Sequence, residues 1–354
     1  MTAEQTLHKK LELISLPDKA AGERCHIRWN SIAKPLGSLG LLEEALVRFA
    51  ALTGDEDWPI DRKALLILCA DNGVVARGVT QTGQEVTSAV AANMACGKAS
   101  VCHMASIAGA KVFPVDAGMT FPCDALPLQG PRRGTDDIAA GPAMTREEAA
   151  ACILEGISLV EERKAEGFTL LATGEMGIGN TTTSSAMTAV FLSQPVEKVT
   201  GVGAGLSSEG LVRKVEAIES AIRVNQPDPA DPLDTLAKLG GFDIAVMTGV
   251  FLGGAIHHIP VLLDGFISSV AALTAARLCP DAKAAMLATH CSGEPASRML
   301  LEALELSPLI DAGLRLGEGS GAVAAMPLLD MARAVYRGMP TFRETGIEEY
   351  KPLK

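Results

Sequence analysis

From about residue 60 onward, short continuous apolar runs alternate with longer stretches in which apolar residues recur every three to four positions. ALLILCAD (64–71), KVFPVD (111–116), FTLLATGE (168–175), KVTGVG (198–203), PVLLDG (260–265) and AMLATHCS (285–292) are too short for helices and too uniformly apolar for half-exposed strands. They predict six buried strands, and their alternation with helical segments predicts a Rossmann-like parallel α/β sheet with flanking helices. The helices carry their own punctuation. Thr145 to Glu148 is a capping box opening a periodic stretch that stops at Gly167, and 91–108 and 211–225 have the same character. The turn-forming DPADP (228–232) and Gly240-Gly241 separate the next helices. Residues 1–58 read as helix interrupted by KPLGSLG (34–40), and residues 329–354 as helix and a loose tail. The expected organisation is a small helical subdomain built from 1–58 and 329–354, beside an α/β domain over 59–328.

Four of the six runs carry an acid at or next to their end: Asp71, Asp116, Glu175 and Asp264. Ligands of open parallel sheets bind at the carboxyl ends of the strands, so these four are expected around one crevice. Each is equally able to cap the following helix. Two glycine-rich loops sharpen the picture, GEMGIGNTTTSSA (174–186) and RLGEGSGAVAAMP (315–327), each with one glutamate, Glu175 or Glu318, and each leading into an apolar helical run. Glycines let backbone amides converge on an anion, and a helix N-terminus adds partial positive charge. Either loop alone is also explained as a turn whose glutamate favours a helix N-terminus. Two such loops in one chain favour a site.

Composition then narrows the function. Of the 354 residues 48% are hydrophobic and 21% charged, and no run approaches the 18 to 20 apolar residues of a membrane helix. The N-terminal MTAEQTLHKKLELISL has no secretory pattern and reads as an amphipathic helix, which gives a cytoplasmic expectation. Eight scattered cysteines without a C-x-x-C pair, and six histidines without a ligand spacing, point to no disulfide framework and no metal. A formal net charge of −11 and 4% aromatics argue against nucleic acid. Neither a G-x-G-x-x-G after an early strand nor a Walker loop occurs, and GVGAG (201–205) is a weak near miss. Asp136-Asp137 is an adjacent acid pair without the phosphate loop of a magnesium-dependent pyrophosphate donor site. A sugar phosphate bound here would carry one phosphate, held by the amides and hydroxyls of 177–183 with charge from Lys214 and no metal.

Six motifs in colinear order, KPLGSLGLLE, CADNGV, GEMGIGNTT, GGFDIAVMTG, LLDGF and RLGEGSGAVAAMP, span nearly the whole chain. Together they resemble the nicotinate-nucleotide:dimethylbenzimidazole phosphoribosyltransferase family of cobamide lower-ligand synthesis. The resemblance implies transfer of ribose 5-phosphate from nicotinate mononucleotide to an aromatic base, giving an α-linked nucleotide and nicotinate without metal or cofactor. It implies that Glu318 is the general base and that Glu175 orients the donor or stabilises positive charge on the ribose. Gly177, Asn180, Thr181, Lys214 and Ser292 match donor phosphate and ribose positions, and Asp264 a ribose hydroxyl. It also implies a helical domain made of both termini, and a dimer, homo- or hetero-, that completes the site. Val90, Thr82, Met176 and Leu316 are assigned to the acceptor pocket. Relatives read Q-A-A-N-M or E-V-T-A-Q-M where this chain reads EVTSAVAANM, so Val90 replaces an amide that could bond a ring nitrogen. That departure keeps two alternatives open: a subunit specific for phenol or p-cresol within a heterodimer, and a non-catalytic partner subunit. Retention of both glutamates counts against the second.

Overall fold

The computed structural model describes residues 1–350. Its centre is a five-stranded parallel sheet in the order β2-β1-β3-β4-β5. The strands are β1 (Lys63–Ala70), β2 (Ala110–Gly118), β3 (Leu170–Met176), β4 (Val261–Leu263) and β5 (Met286–Ala288). All eight residues of β1 are buried, as expected for a central strand covered on both faces. Its side chains divide with a period of two. Ala64, Leu66, Leu68 and Ala70 join one hydrophobic cluster, and Leu65, Ile67 and Cys69 join the other.

Among the described residues fifteen α-helices surround the sheet: α1 (Ala3–Leu11), α2 (Lys19–Ser31), α3 (Leu41–Thr53), α4 (Glu85–Ala95), α5 (Ser100–Ala108), α6 (Arg146–Ala165), α7 (Asn180–Leu192), α8 (Val196–Val199), α9 (Ser208–Asn225), α10 (Pro232–Leu239), α11 (Phe242–His257), α12 (Phe266–Leu278), α13 (Ser297–Leu304), α14 (Ser320–Gly338) and α15 (Phe342–Thr345). One cluster contains the apolar faces of α6, α7 and α9 to α13; the other unites α2, α4, α5 and α14 with most of α3. Trp29 of α2 packs against Tyr336 of α14 with ring centroids 5.0 Å apart and planes tilted by 59°, so the first and last parts of the chain meet on one face. Helix α1 lies apart from them, with Leu7 in the cluster of the opposite face.

The capping box at Thr145 opens α6 as its sequence predicts, with both reciprocal bonds formed. Two expectations change. The run 198–203 is not a strand, which leaves five strands instead of six. Val196 and Val199 bury themselves on a single helical turn closed by the Thr200 hydroxyl donating to the Val196 carbonyl at 2.6 Å. Ser185 Oγ donates to the Val199 carbonyl, and Gly203 at φ 54° then turns the chain away. A short apolar run records burial but cannot distinguish the strand from the helical turn that achieves it. The expected helix over 91–108 is two helices, broken where Gly97 takes φ 71°.

Candidate active site

Strand β1 is flanked by β2 on one side and β3 on the other, so the connections from the sheet leave in opposite directions on either side of β1. The mouth of the fold opens there, at the carboxyl ends of the strands. A cleft runs along this edge, lined by the loop after β3, Asp264 to Ser268 after β4, His290 to Glu294 after β5, and Arg315 to Gly317.

The two glycine-rich loops, about 140 residues apart in the chain, touch each other. A Cβ added at Gly174 would lie 2.7 Å from the Glu318 carbonyl carbon, and one at Gly317 would lie 2.5 Å from Glu175 Oε1. Only hydrogen at both positions permits this approach. Gly177 is equally constrained, since a Cβ there would sit 2.4 Å from the Ala70 carbonyl oxygen.

Glu175 is half-buried and lines the cleft. Its Oε2 accepts from Asn180 Nδ2, and the same nitrogen donates to Asp243 Oδ2 at 2.9 Å. Burial pushes the Glu175 carboxyl up to about 8; the Asn180 bond opposes this, while the negative neighbours Asp243, Asp264 and Glu318 add to it. Glu318 sits at φ 61° just before α14, with its carboxyl beside the N-terminus of α5. Its Oε2 is buried without a hydrogen-bond partner among the described residues. Burial raises its pKa as well, against a weaker opposing contribution from the Val101 amide.

Asp264 is buried at the edge of the cleft and accepts from three backbone amides. Its Oδ1 accepts from the amides of Gly321 (2.8 Å) and Ala322 (3.2 Å), and its Oδ2 from the amide of Gly319 at 3.1 Å. It therefore ties the strand β4 end to the start of α14 and holds the loop that carries Glu318. Burial nonetheless raises its pKa, with His290 opposing.

Thr181 and Ser292 line the cleft. Lys214 lies beneath it: only 1% exposed, its Nζ donates at 2.9 Å to both Thr181 Oγ1 and the Gly201 carbonyl. Burial lowers its pKa to about 8, with Glu294 opposing. Asn180 faces its two carboxylates, so its amide nitrogen is already occupied.

Asp71 and Asp116 do not line the cleft. Asp71 is sealed under the Thr87 hydroxyl at 2.6 Å and the Thr120 amide at 2.7 Å, and burial raises its pKa to about 6. Asp116 accepts from the amides of Gly118 and Met119. Both fasten the loops after β1 and β2. Thr87 also accepts from the Ile178 amide at 3.2 Å, which joins α4 to the loop of Glu175. Among the described residues no group of three or more His, Cys, Asp or Glu side chains is arranged to hold a metal, and no helix is long and apolar enough to cross a membrane.

This architecture matches known proteins along nearly its full length. Residues 14–347 match the family model described as phosphoribosyltransferase. The chain belongs to that family. It is 43% identical to the nicotinate-nucleotide–dimethylbenzimidazole phosphoribosyltransferase of Ruminiclostridium cellulolyticum, covering 100% of both chains. It is 46% identical to the protein of the same name from Acetivibrio thermocellus, over 92% of this chain and 93% of the other. The crystal structure of CobT from Thermus thermophilus superposes with a TM-score of 0.88 at 40% identity, covering 94% of this chain and 100% of that one. The protein is thus a phosphoribosyltransferase with a parallel α/β fold.

Within this phosphoribosyltransferase fold the residues assigned to an acceptor separate. Met176 and Leu316 line the cleft, Leu316 with 53% of its surface exposed. Val90 is half-buried on α4 against the second cluster, and Thr82 is exposed in the loop before α4. Neither lines the cleft itself, and Glu318 also stands outside its lining, on the side of α5 next to Gly317. Sequence reasoning missed Asp243, His290, Glu294 and Thr87. The first is carried by GGFDIAVMTG, where an acid directly follows a helix start and so reads as a cap.

Proposed function

We propose that this enzyme transfers ribose 5-phosphate from nicotinate mononucleotide to an aromatic nitrogen base, releasing nicotinate and forming the α-linked nucleotide used as a cobamide lower ligand. The single observation that carries this reading is the contact between the two glutamate loops at the mouth of the sheet, in a chain colinear with relatives named for this reaction. The donor nitrogen is a pyridinium. When the C1′–N bond breaks, its electron pair returns to the ring, and nicotinate leaves without a proton donor or a metal. The acceptor nitrogen attacks C1′ from the opposite face and its proton passes to Glu318. The unpartnered, buried Oε2 of Glu318 and the raised basicity of that carboxyl support the base role. A cationic donor bound beside Glu175 lowers the raised pKa of its carboxyl, and the ionised carboxylate then stabilises positive charge developing on the ribose.

Thr181, Ser292 and the backbone after Gly177 are proposed to take the phosphate, with Lys214 acting through Thr181. Asp264, whose oxygens already serve three amides, is proposed to act by holding the Glu318 loop instead of a ribose hydroxyl. Val90 and Thr82 are proposed to meet the acceptor from the α4 side. The relatives' names favour a benzimidazole-type acceptor over the phenolic one. We further propose that 19–58 and 329–350 behave as a helical unit beside the α/β domain, with α1 of the expected 1–58 segment joining that domain instead and the rest of the tail lying outside the described residues. A dimer is proposed to cover the exposed Leu316 side; light scattering after gel filtration tests it.

The function is tested by mass spectrometry of the purified chain with nicotinate mononucleotide and an equimolar mixture of 5,6-dimethylbenzimidazole, adenine, phenol and p-cresol. The expected result is nicotinate release with a dimethylbenzimidazole nucleotide as the main product. A phenolic product would overturn the acceptor assignment, and absence of any product would overturn the transferase reading of this chain acting alone.

A further inference from the structure

Asp243 lies in the first turn of α11 with no surface exposed to solvent. Its Oδ1 accepts from the Ile244 amide at 3.0 Å, which an acid serving only as a helix cap would do from the surface. A capping role requires no deep burial, and an ionised carboxylate without a cation is costly in such a place. Its second oxygen instead reaches Asn180 Nδ2, and that nitrogen also serves Glu175. An amide nitrogen carries two hydrogens. One goes to each carboxylate, so the Asn180 side chain has a single orientation that satisfies both.

We propose that Asp243 is a positioning residue of the transfer reaction, which fixes Glu175 in the cleft by clamping Asn180 from behind. Without the Asp243 acceptor the Asn180 amide is free to turn, and Glu175 loses the only hydrogen-bond donor found for its carboxylate among the described residues. The proposal rests on the donor-side role assigned to Glu175. It adds a residue that touches neither substrate and lies on the far side of the loop from the cleft.

Charge supports the same arrangement. Glu175 is faced by Asp243 from α11, Asp264 from the end of β4 and Glu318 from the start of α14, with no cation among these neighbours. Asp243 in turn is faced by Asp71 from the end of β1, and the buried thiols of Cys69 and Cys152 lie near enough to feel it. Burial raises the Asp243 carboxyl to about 6. Removing its negative charge makes Glu175 easier to ionise, so any activity that needs ionised Glu175 moves to lower pH.

The test is steady-state kinetics across pH for D243A, D243N, E175Q and the double variant D243A/E175Q, each checked for folding by thermal melting. D243A is expected to lower kcat by about 10- to 100-fold with donor KM changed by less than about threefold. D243N keeps an oxygen that can accept from Asn180 and carries no charge. It is expected to recover most of kcat and to move the acid limb of the kcat/KM profile down by about half a pH unit or more. In the E175Q background, D243A is expected to cost less than about threefold further. Wild-type kcat in D243A, full multiplicative loss in the double variant, or equal losses in D243A and D243N with an unmoved profile would each overturn the proposal. Should D243A fail to fold, the D243N profile decides alone. An E175Q variant with wild-type kcat would overturn the Glu175 assignment, and an impaired D243A beside it would show that Asp243 acts by another route.

Discussion

The loops of Glu175 and Glu318 have the same design in sequence, and the tertiary structure holds their carboxylates in opposite ways. Glu175 faces the cleft with Oε2 bonded to Asn180, which Asp243 steadies from the interior. The Glu318 backbone is the tightly held part, with Asp264 accepting from three amides around it, while the side chain keeps a buried oxygen unpartnered. One loop fixes a carboxylate; the other fixes the frame and leaves a carboxylate oxygen unpartnered. Under the roles proposed above, the difference teaches that a charge-stabilising group and a proton acceptor need different support. The first gains from a bonded orientation, and the second must keep a lone pair available.

The largest effect expected from this contrast is in E318Q. Loss of the base should lower kcat at least about 100-fold with donor binding little changed, checked by turnover and by titration calorimetry with nicotinate mononucleotide. Near wild-type turnover would remove the distinction between the loops. D264A attacks the frame behind Glu318. Leaving the amides around the α14 start without their acceptor should cost about 2–4 kcal/mol in urea unfolding, with a fall in kcat. A loss below about 0.5 kcal/mol would mean the loop holds itself.

A smaller change is expected on the donor side. K214M removes the cation under Thr181 while keeping most of the buried volume, and should raise donor KM about 10-fold with kcat within a few-fold. An unaltered KM would take Lys214 out of phosphate binding. Different in kind is the pH dependence of stability carried by Glu175. Its folded pKa of about 8 lies above the ordinary value of 4.5, so its stabilising contribution is complete below the ordinary value and is lost as pH rises through 8. E175Q does not titrate. Its melting temperature minus that of the wild type should therefore grow from pH 5 to pH 8.5, and a flat or falling difference in thermal melts would reject the buried-carboxylate description.

Local signals were sufficient where one residue's preference decides the outcome. The Thr145 capping box and the Gly167 stop formed at the residues that encode them, because a cap is a contact between near neighbours. The same locality explains the errors. A valine-rich run over 198–203 states that its side chains will be buried, but whether a strand or a helical turn buries them depends on which surface waits for them, here α7. The acids at strand ends were recognised as a set, yet Asp71 and Asp116 fasten loops while Glu175 and Asp264 reach the cleft. Each ends a strand, and what separates them is the set of partners that the fold brings to each side chain.

By itself the sequence determined the parallel α/β class, the two glutamate loops and, through six colinear motifs, the family. Each is written in periodicity, in glycine placement or in local order, which need no knowledge of distant neighbours. Tertiary structure alone decided that the two loops meet, that Asp264 serves backbone amides, that Lys214 lies buried against Thr181, and that Asp243 reaches Glu175 through Asn180. The hydrogen bonds from Lys214 to Thr181 and from Asn180 to Asp243 span 33 and 63 positions of chain, beyond the reach of any local pattern. Burial makes such contacts matter, because a charge removed from water must find its partners in whatever the fold brings beside it.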